Sequence, residues 1–359
     1  MIVIALALLA QAAAPHPYEK LQIDSETTCV GGAQLVLPAA DSWEADGFKF
    51  SVSGARAEVK ATAAGAKKGE ARLGLLAAVK DFTPDTQANL TRFVEAFKKA
   101  GVSGIVVDGD SAYGVDDQDS TLSDFYSWLG GQGVPVYAII GNSESRSPFN
   151  RALLAAYRKH PNVINLDIVR RVEGDGFTLV SLPGYFDKRY IPESAGCQYK
   201  PDDVQELSRL AKGAPSPVVL VSHGPPRQEG KGALDVTQDG HNVGDPELAA
   251  AIAEATIPFG VFGHILESGG RATDLTGKKS IKPGQPSASL YINPGPAFAD
   301  PWPLNGGRTS HGMAAILTIK GGKAEWQSIL AATAKSKGRA PERVAPRSFV
   351  SVPRTPGGR

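Results

Sequence analysis

Five residues able to hold a metal follow five apolar segments in chain order. They are Asp81 after "LLAAVK", Asp110 after "GIVVDG", Asn142 after "YAIIG", His223 after "VVLVS" and His264 after "FGVFG". Taken singly, an Asp behind a strand is ordinarily a turn former or helix cap, and a lone His is ordinarily structural. Taken together they say more, because turn chemistry does not require every strand to end in a metal-competent side chain. Two carboxylates, an amide and two imidazoles form a mixed oxygen and nitrogen donor set. Such a set suits one divalent transition ion, Mn, Fe or Zn. In "FGHILESGG" (262–270), however, Leu266 stands two residues beyond His264, where a further ligand could have extended the site.

Segments so far apart meet only if strands deliver their ends to one rim. "LGLLAAV" is a continuous apolar run of the kind buried on both faces. "FTPDTQANLTRFVEAFKKAGVS" then predicts a helix: Thr83 is its N-cap, Pro84 opens its first turn, Leu90, Phe93, Val94 and Phe97 share a face, and Gly101 closes it. The alternation continues through strand "GIVVD", helix "LSDFYSWL", strand "VPVYAII" and helix "SPFNRALLAAYRKH", followed by a hairpin across "DIVRRVEGDGFTLVSL". Helix "DDVQELSRLAKG", strand "PVVLVS", helix "DPELAAAIAEA" and strand "PFGVFG" come next. This pattern predicts an α/β protein with a largely parallel sheet, its functional groups collected past the carboxyl ends of the strands. "ASLYINPG", "MAAILTIK" and "AEWQSIL" are strands without intervening helices, which implies a second sheet or an antiparallel flank. No glycine-rich phosphate loop occurs.

The rest of the chain divides by composition. Residues 1–14 read as a secretory signal, an apolar run from Ile2 to Ala10 with a small-x-small cleavage pattern. The run is shorter than the roughly 20 residues a bilayer span needs. Residues 15–70, with "FKFSVSG" and "AEVKAT", predict a short β-rich N-terminal extension leaning on the main domain at 71–330. Residues 331–359 are a Pro, Gly and Arg-rich tail with little to bury, expected to be disordered. From Lys335 onward the tail holds seven Lys or Arg and one Glu, so of the chain's 38 basic and 37 acidic residues the body keeps 31 and 36. A mildly acidic body argues against a nucleic-acid-binding core, so no nucleic-acid partner is expected, and no transmembrane segment is expected. Cys29 and Cys197 would pair in an oxidising compartment, or stand as two unrelated free thiols. His16, His160, His241 and His311 read as surface or loop histidines. Oligomeric state is not legible.

"VVDGD", "IIGNSE", "LVSHGPPR" and "VFGHILE" resemble, in order, the Gly-Asp, Gly-Asn, His and Gly-His-x-His motifs of the calcineurin-like metallophosphoesterases, and "YINPG" resembles a further loop of that family. The resemblance implies a four-layer α-β-β-α sandwich with a two-metal centre at its rim. It implies one metal held by Asp110, Asn142, His223 and His264, all present, with these four as the catalytic set and a metal-bound hydroxide as the nucleophile. The family's first motif, Asp-x-His, has two registers here, Ala78-Val79-Lys80 or Asp81-Phe82-Thr83. The second is preferred, because it keeps a strand-terminal carboxylate and starts the helix at Thr83 and Pro84. In that register the other metal keeps Asp81 and Asp110 but meets Thr83 and Leu266 where imidazoles should be, leaving one firm ion and at most a labile second. Ser143 stands where many relatives carry a His for the leaving group. Ser143 and Arg227 could contact phosphate, an exposed polar loop being the alternative for each. The expected activity is hydrolysis of small phosphomonoesters or diesters by an exported, periplasmic or extracellular enzyme. The alternative is an inactive scaffold that binds a phosphorylated or anionic ligand.

Overall fold

The computed structural model describes residues 16–34, 40–62 and 69–331. The signal expected at 1–14 and the tail from 332 onward lie outside the described residues. No described helix is long and apolar enough to cross a membrane.

Among the described residues the main strands form two sheets. One has the order Lys323–Leu330, Met313–Lys320, Glu70–Leu76, Gly104–Asp108, Val136–Ile139, Val163–Asn165. Its last four strands run parallel, and the two C-terminal strands add antiparallel at one edge. The other has the order Asp41–Ala45, Phe48–Ser53, Arg56–Ala61, Arg171–Glu173, Thr178–Leu182, Val218–Ser222, Phe259–Val261, Leu290–Asn293, Arg271–Thr273. At its centre Thr178–Leu182, Val218–Ser222, Phe259–Val261 and Leu290–Asn293 are mutually parallel. Each central strand is buried on both faces, which is why these segments read as unbroken apolar runs.

Leu73, Val106, Tyr137 and Ile139 of the first sheet pack against Leu179, Val221, Phe259 and Ile292 of the second, closing the space between them. On the outer face of the first lie helices Pro84–Ala100, Gln118–Gly130 and Arg146–Lys159, through Leu90, Phe93, Phe97, Leu122, Phe125 and Phe149. Pro201–Ala211 and Pro246–Glu254 cover the second, through Val204, Leu207, Leu248 and Ile252. The layers therefore run helix, sheet, sheet, helix, the α-β-β-α sandwich implied by the motifs. Each large apolar side chain so buried contributes about 1.5–3 kcal/mol. Gly74 shows how tight the helix packing is: a Cβ there would sit 2.6 Å from the Phe97 ring.

Residues 41–61 supply three strands of the second sheet, because Arg56–Ala61 pairs parallel with Arg171–Glu173. Arg56 reinforces that junction through an ion pair to Glu173 at 2.8 Å. Ahead of them stands a helix, Pro17–Asp24, that sequence periodicity did not signal. Its anchor is Tyr18, stacked on Trp43 at 5.6 Å and edge-on to Tyr157 at 5.0 Å, with its hydroxyl accepting from Asn165 N at 3.0 Å. A disulfide joins Cys29 to Cys197 across 168 residues and ties this segment to the loop that follows Thr178–Leu182.

Candidate metal centre

The carboxyl ends of the two sheets meet at one rim. Asp110 and Asn142 come from loops of the first sheet, after Gly104–Asp108 and Val136–Ile139; His223 and His264 come from loops of the second, after Val218–Ser222 and Phe259–Val261. Glycines let these loops touch. A Cβ on Gly109, whose φ is +71°, would lie 2.6 Å from both Gly141 Cα and His223 Nδ1, and one on Gly141 would lie 2.4 Å from Asp110 N and Oδ1. The glycines before Asp110 and Asn142 are thus a condition of that convergence.

His223 sits between the sheets. Its Nε2 is 2.8 Å from Asn142 Oδ1 and 3.2 Å from Asp110 Oδ1, while Nδ1 is 2.9 Å from the carbonyl oxygen of Asp108. Asp110, His223 and His264 offer ligand atoms that all lie within 4.8 Å of one another. Asn142 donates through Nδ2 to the Tyr190 carbonyl at 2.5 Å, which leaves its Oδ1 facing the cluster. His264 packs against Tyr185, ring centroids 4.2 Å apart, and its buried Nδ1 has no hydrogen-bond partner among the described residues.

Burial opposes both charges of the central pair, but their proximity outweighs it. The His223 ring and its hydrogen bond hold the Asp110 carboxyl well below its ordinary range. The Asp110 carboxylate in turn lifts His223 to about 9. Burial and the neighbouring His223 charge push His264 down to about 3, so its ring is neutral and able to donate a lone pair. Glu144 accepts hydrogen bonds from Ser111 N and Gly141 N and so braces the loops of Asp110 and Asn142. Burial, then the Asp110 charge, raises it to about 7. An orphaned neutral imidazole nitrogen beside a carboxylate, an amide oxygen and a second imidazole fits a divalent ion of the mixed-donor class.

No family profile and no curated protein matches the chain. Solved structures do. One crystal structure, 16% identical, covers 73% of this chain and 99% of its own at a TM-score of 0.50. TT1561 of Thermus thermophilus is 14% identical over 72% of this chain and 98% of its own, with a TM-score of 0.49. A dimetal phosphatase from Danio rerio is 15% identical over 72% and 98%, with a TM-score of 0.46. The chain shares the fold of the first of these, the α-β-β-α sandwich that the resemblance implied. At these identities the likeness reaches the fold and no further.

Within this fold, Asp81 does not join the cluster. Its Oδ1 accepts from Thr83 N at 3.0 Å and Thr83 Oγ1 at 2.7 Å, and Thr83 Oγ1 accepts from Thr86 N. The two residues cap the helix Pro84–Ala100 and line an open surface cleft of about 610 Å³. The correction has a backbone cause. After Leu76 the chain folds over the Asp110 loop, Ala78 N donating to Gly109 O at 3.0 Å and Lys80 N to Asp110 O at 2.9 Å. Left-handed φ values of +47° at Ala78 and +60° at Lys80 make that turn. The register facing the site is therefore Ala78-Val79-Lys80, and Thr83 is not a vacated ligand position.

The Lys80 ammonium lies over three rings, at 5.0 Å from Tyr113, 5.1 Å from Phe298 and 4.6 Å from Trp302. Burial lowers its pKa, while Asp110 and Glu267 oppose that shift. Leu266 is buried against Ala78 and Phe298, so this flank of the centre is apolar as well as cationic. Ser143 contributes its backbone N–H to Asp110 Oδ1 at 3.1 Å. Arg227 points elsewhere, its guanidinium donating to Asn242 O at 2.6 Å. Sequence reading missed Lys80, Glu144 and Tyr185. The only available signals were the discarded register and the Glu two residues after the motif Asn.

Proposed function

We propose that this protein is a metal-dependent phosphoric ester hydrolase working with one firmly held divalent transition ion, Mn, Fe or Zn. The observation that carries this is the free Nδ1 of His264, converging with His223, Asp110 and Asn142 from the two sheets. When bound, such an ion supplies Lewis acidity toward phosphate oxygens and toward a water.

The protein's own groups do the positioning. The Asp108 carbonyl accepts from His223 Nδ1 and turns Nε2 toward the site. The Tyr190 carbonyl fixes the orientation of the Asn142 amide, and Ser143 N fixes that of the Asp110 carboxylate. Tyr185 packs against one face of His264 and fixes its ring. The residue next to Asn142 is Ser143, so no imidazole stands at that position to protonate a leaving group. Small esters with acidic leaving groups are therefore expected to turn over fastest.

A second reading, a protein that binds a phosphorylated or anionic ligand without turnover, draws support from Leu266 and Ala78, which put apolar carbon beside the centre. Metal analysis of purified protein, followed by hydrolysis of a chromogenic phosphodiester with added Mn, separates the two. Turnover that tracks metal content supports the enzyme, and none at any metal level ends that reading. Export to an oxidising compartment is part of the proposal, supported by the Cys29–Cys197 bridge.

A further inference from the structure

The Asp110 side of the centre carries a cation that no anion pairs with among the described residues. Lys80 Nζ donates no hydrogen bond there and forms no ion pair within 4.0 Å, although Asp110 and Glu267 are its nearest charged influences. A lysine half-sheltered from water normally finds a carboxylate or a carbonyl. Here the aromatic faces of Tyr113, Phe298 and Trp302 shelter the ammonium, an arrangement that favours the charged form without using up its donors. The indole N–H of Trp302 is likewise buried without an acceptor. Unused donors thus gather on one side of Asp110, and the side chains beside them, Ala78 and Leu266, cannot coordinate a metal.

We propose that the Lys80 ammonium is the second cation of this centre, built into the chain, and that it holds an oxygen of a phosphoryl group bound to the single metal. The inference rests on the hydrolase reading for its location and names the group that reading lacks. Two features follow from the geometry. The Lys80 backbone N–H is fixed to Asp110 O, so the ammonium is carried on a short tether from the same loop that holds the metal ligand. A fixed ammonium beside the ion also raises the electrostatic cost of a second divalent ion there, so the centre should load to one equivalent.

The test uses the whole chain and inorganic phosphate as the probe. Wild-type protein titrated with Mn is expected to take up one equivalent and then to bind phosphate. Lys80→Met, whose unbranched apolar side chain fits the same rings, should keep the one equivalent and its melting temperature while phosphate affinity falls about 10- to 100-fold, the range for losing a charge-assisted contact. Lys80→Arg should recover part of that loss. Unchanged phosphate affinity in folded, metal-loaded Lys80→Met would overturn the inference, as would uptake of two equivalents by the wild type. These readouts are independent of turnover. A protein that binds phosphate through Lys80 but hydrolyses nothing would sink the hydrolase reading and leave this one standing.

Discussion

Asn142 Oδ1 and His223 Nε2 lie 2.8 Å apart, and that contact joins the rim of one sheet to the rim of the other. The two residues are 81 apart in the chain, and neither has any local reason to be near the other. Their meeting places a potential ligand pair at the seam of the sandwich, where a bound ion would be gripped from both sheets.

His264→Ala should release the metal while leaving the apo fold nearly intact. The ring makes no hydrogen bond through Nδ1, so its loss breaks no network. Loss of a ligand should exceed the roughly 10- to 100-fold cost of losing an outer-shell partner. Elemental analysis after dialysis reads the result, and retention of a full equivalent would remove His264 from the ligand set.

Metal binding should expel about one proton at neutral pH. Burial works against the His223 charge, but Asp110 lifts its pKa to about 9, so the metal-free protein carries imidazolium there at pH 7. Affinity should therefore weaken as pH falls below about 9. The same shift makes His223 stabilise the metal-free fold below its ordinary value of 6.5, with the contribution lost as pH rises toward about 9. Calorimetry in buffers of different ionisation enthalpy counts the protons, and a count near zero would show a neutral ring.

Replacing Ala78 by Asp, Lys80 by His and Leu266 by His in one protein should raise metal uptake from one equivalent to two. All three positions border the flank that Lys80 now fills. The pair Thr83→His with Leu266→His should not, because Thr83 belongs to a helix cap. Metal analysis of both proteins decides between the registers.

Asp81→Ala should lower stability by about 1 kcal/mol, the ordinary cost of a lost cap interaction, and leave metal content unchanged. Among the described residues the carboxylate accepts only from Thr83, at the start of Pro84–Ala100. Denaturant unfolding together with metal analysis checks both halves, and metal loss would restore Asp81 to the ligand set.

Removing the disulfide by Cys29→Ser should cost about 2–5 kcal/mol, since the bridge closes a long loop of the unfolded chain. Cys197 also accepts from Tyr185 N at 3.2 Å through its carbonyl, and Tyr185 covers His264. A modest loss of metal affinity should accompany the lower melting temperature. Equal melting temperatures for the variant and the wild type would refute this.

The sequence alone marked the central strands, most of the helices and the four residues Asp110, Asn142, His223 and His264, while the short strands Val163–Asn165 and Arg271–Thr273 went unread. Each of those signals is local: an apolar run and then a donor within a few residues, with a glycine between them at Asp110, Asn142 and His264. Tyr18 shows the limit, because the helix Pro17–Asp24 owes its place to Trp43 and Tyr157, residues distant in the chain. Tertiary structure decided that Asp81 caps a helix while Lys80 faces Asp110. That choice depends on left-handed turns at Ala78 and Lys80, which neither residue type favours. The turns are held by hydrogen bonds to Gly109 and Asp110, about thirty residues on. A one-residue change in where a chain leaves its strand exchanges one side chain for another at the site, and only the packing of the loops against each other fixes where it leaves.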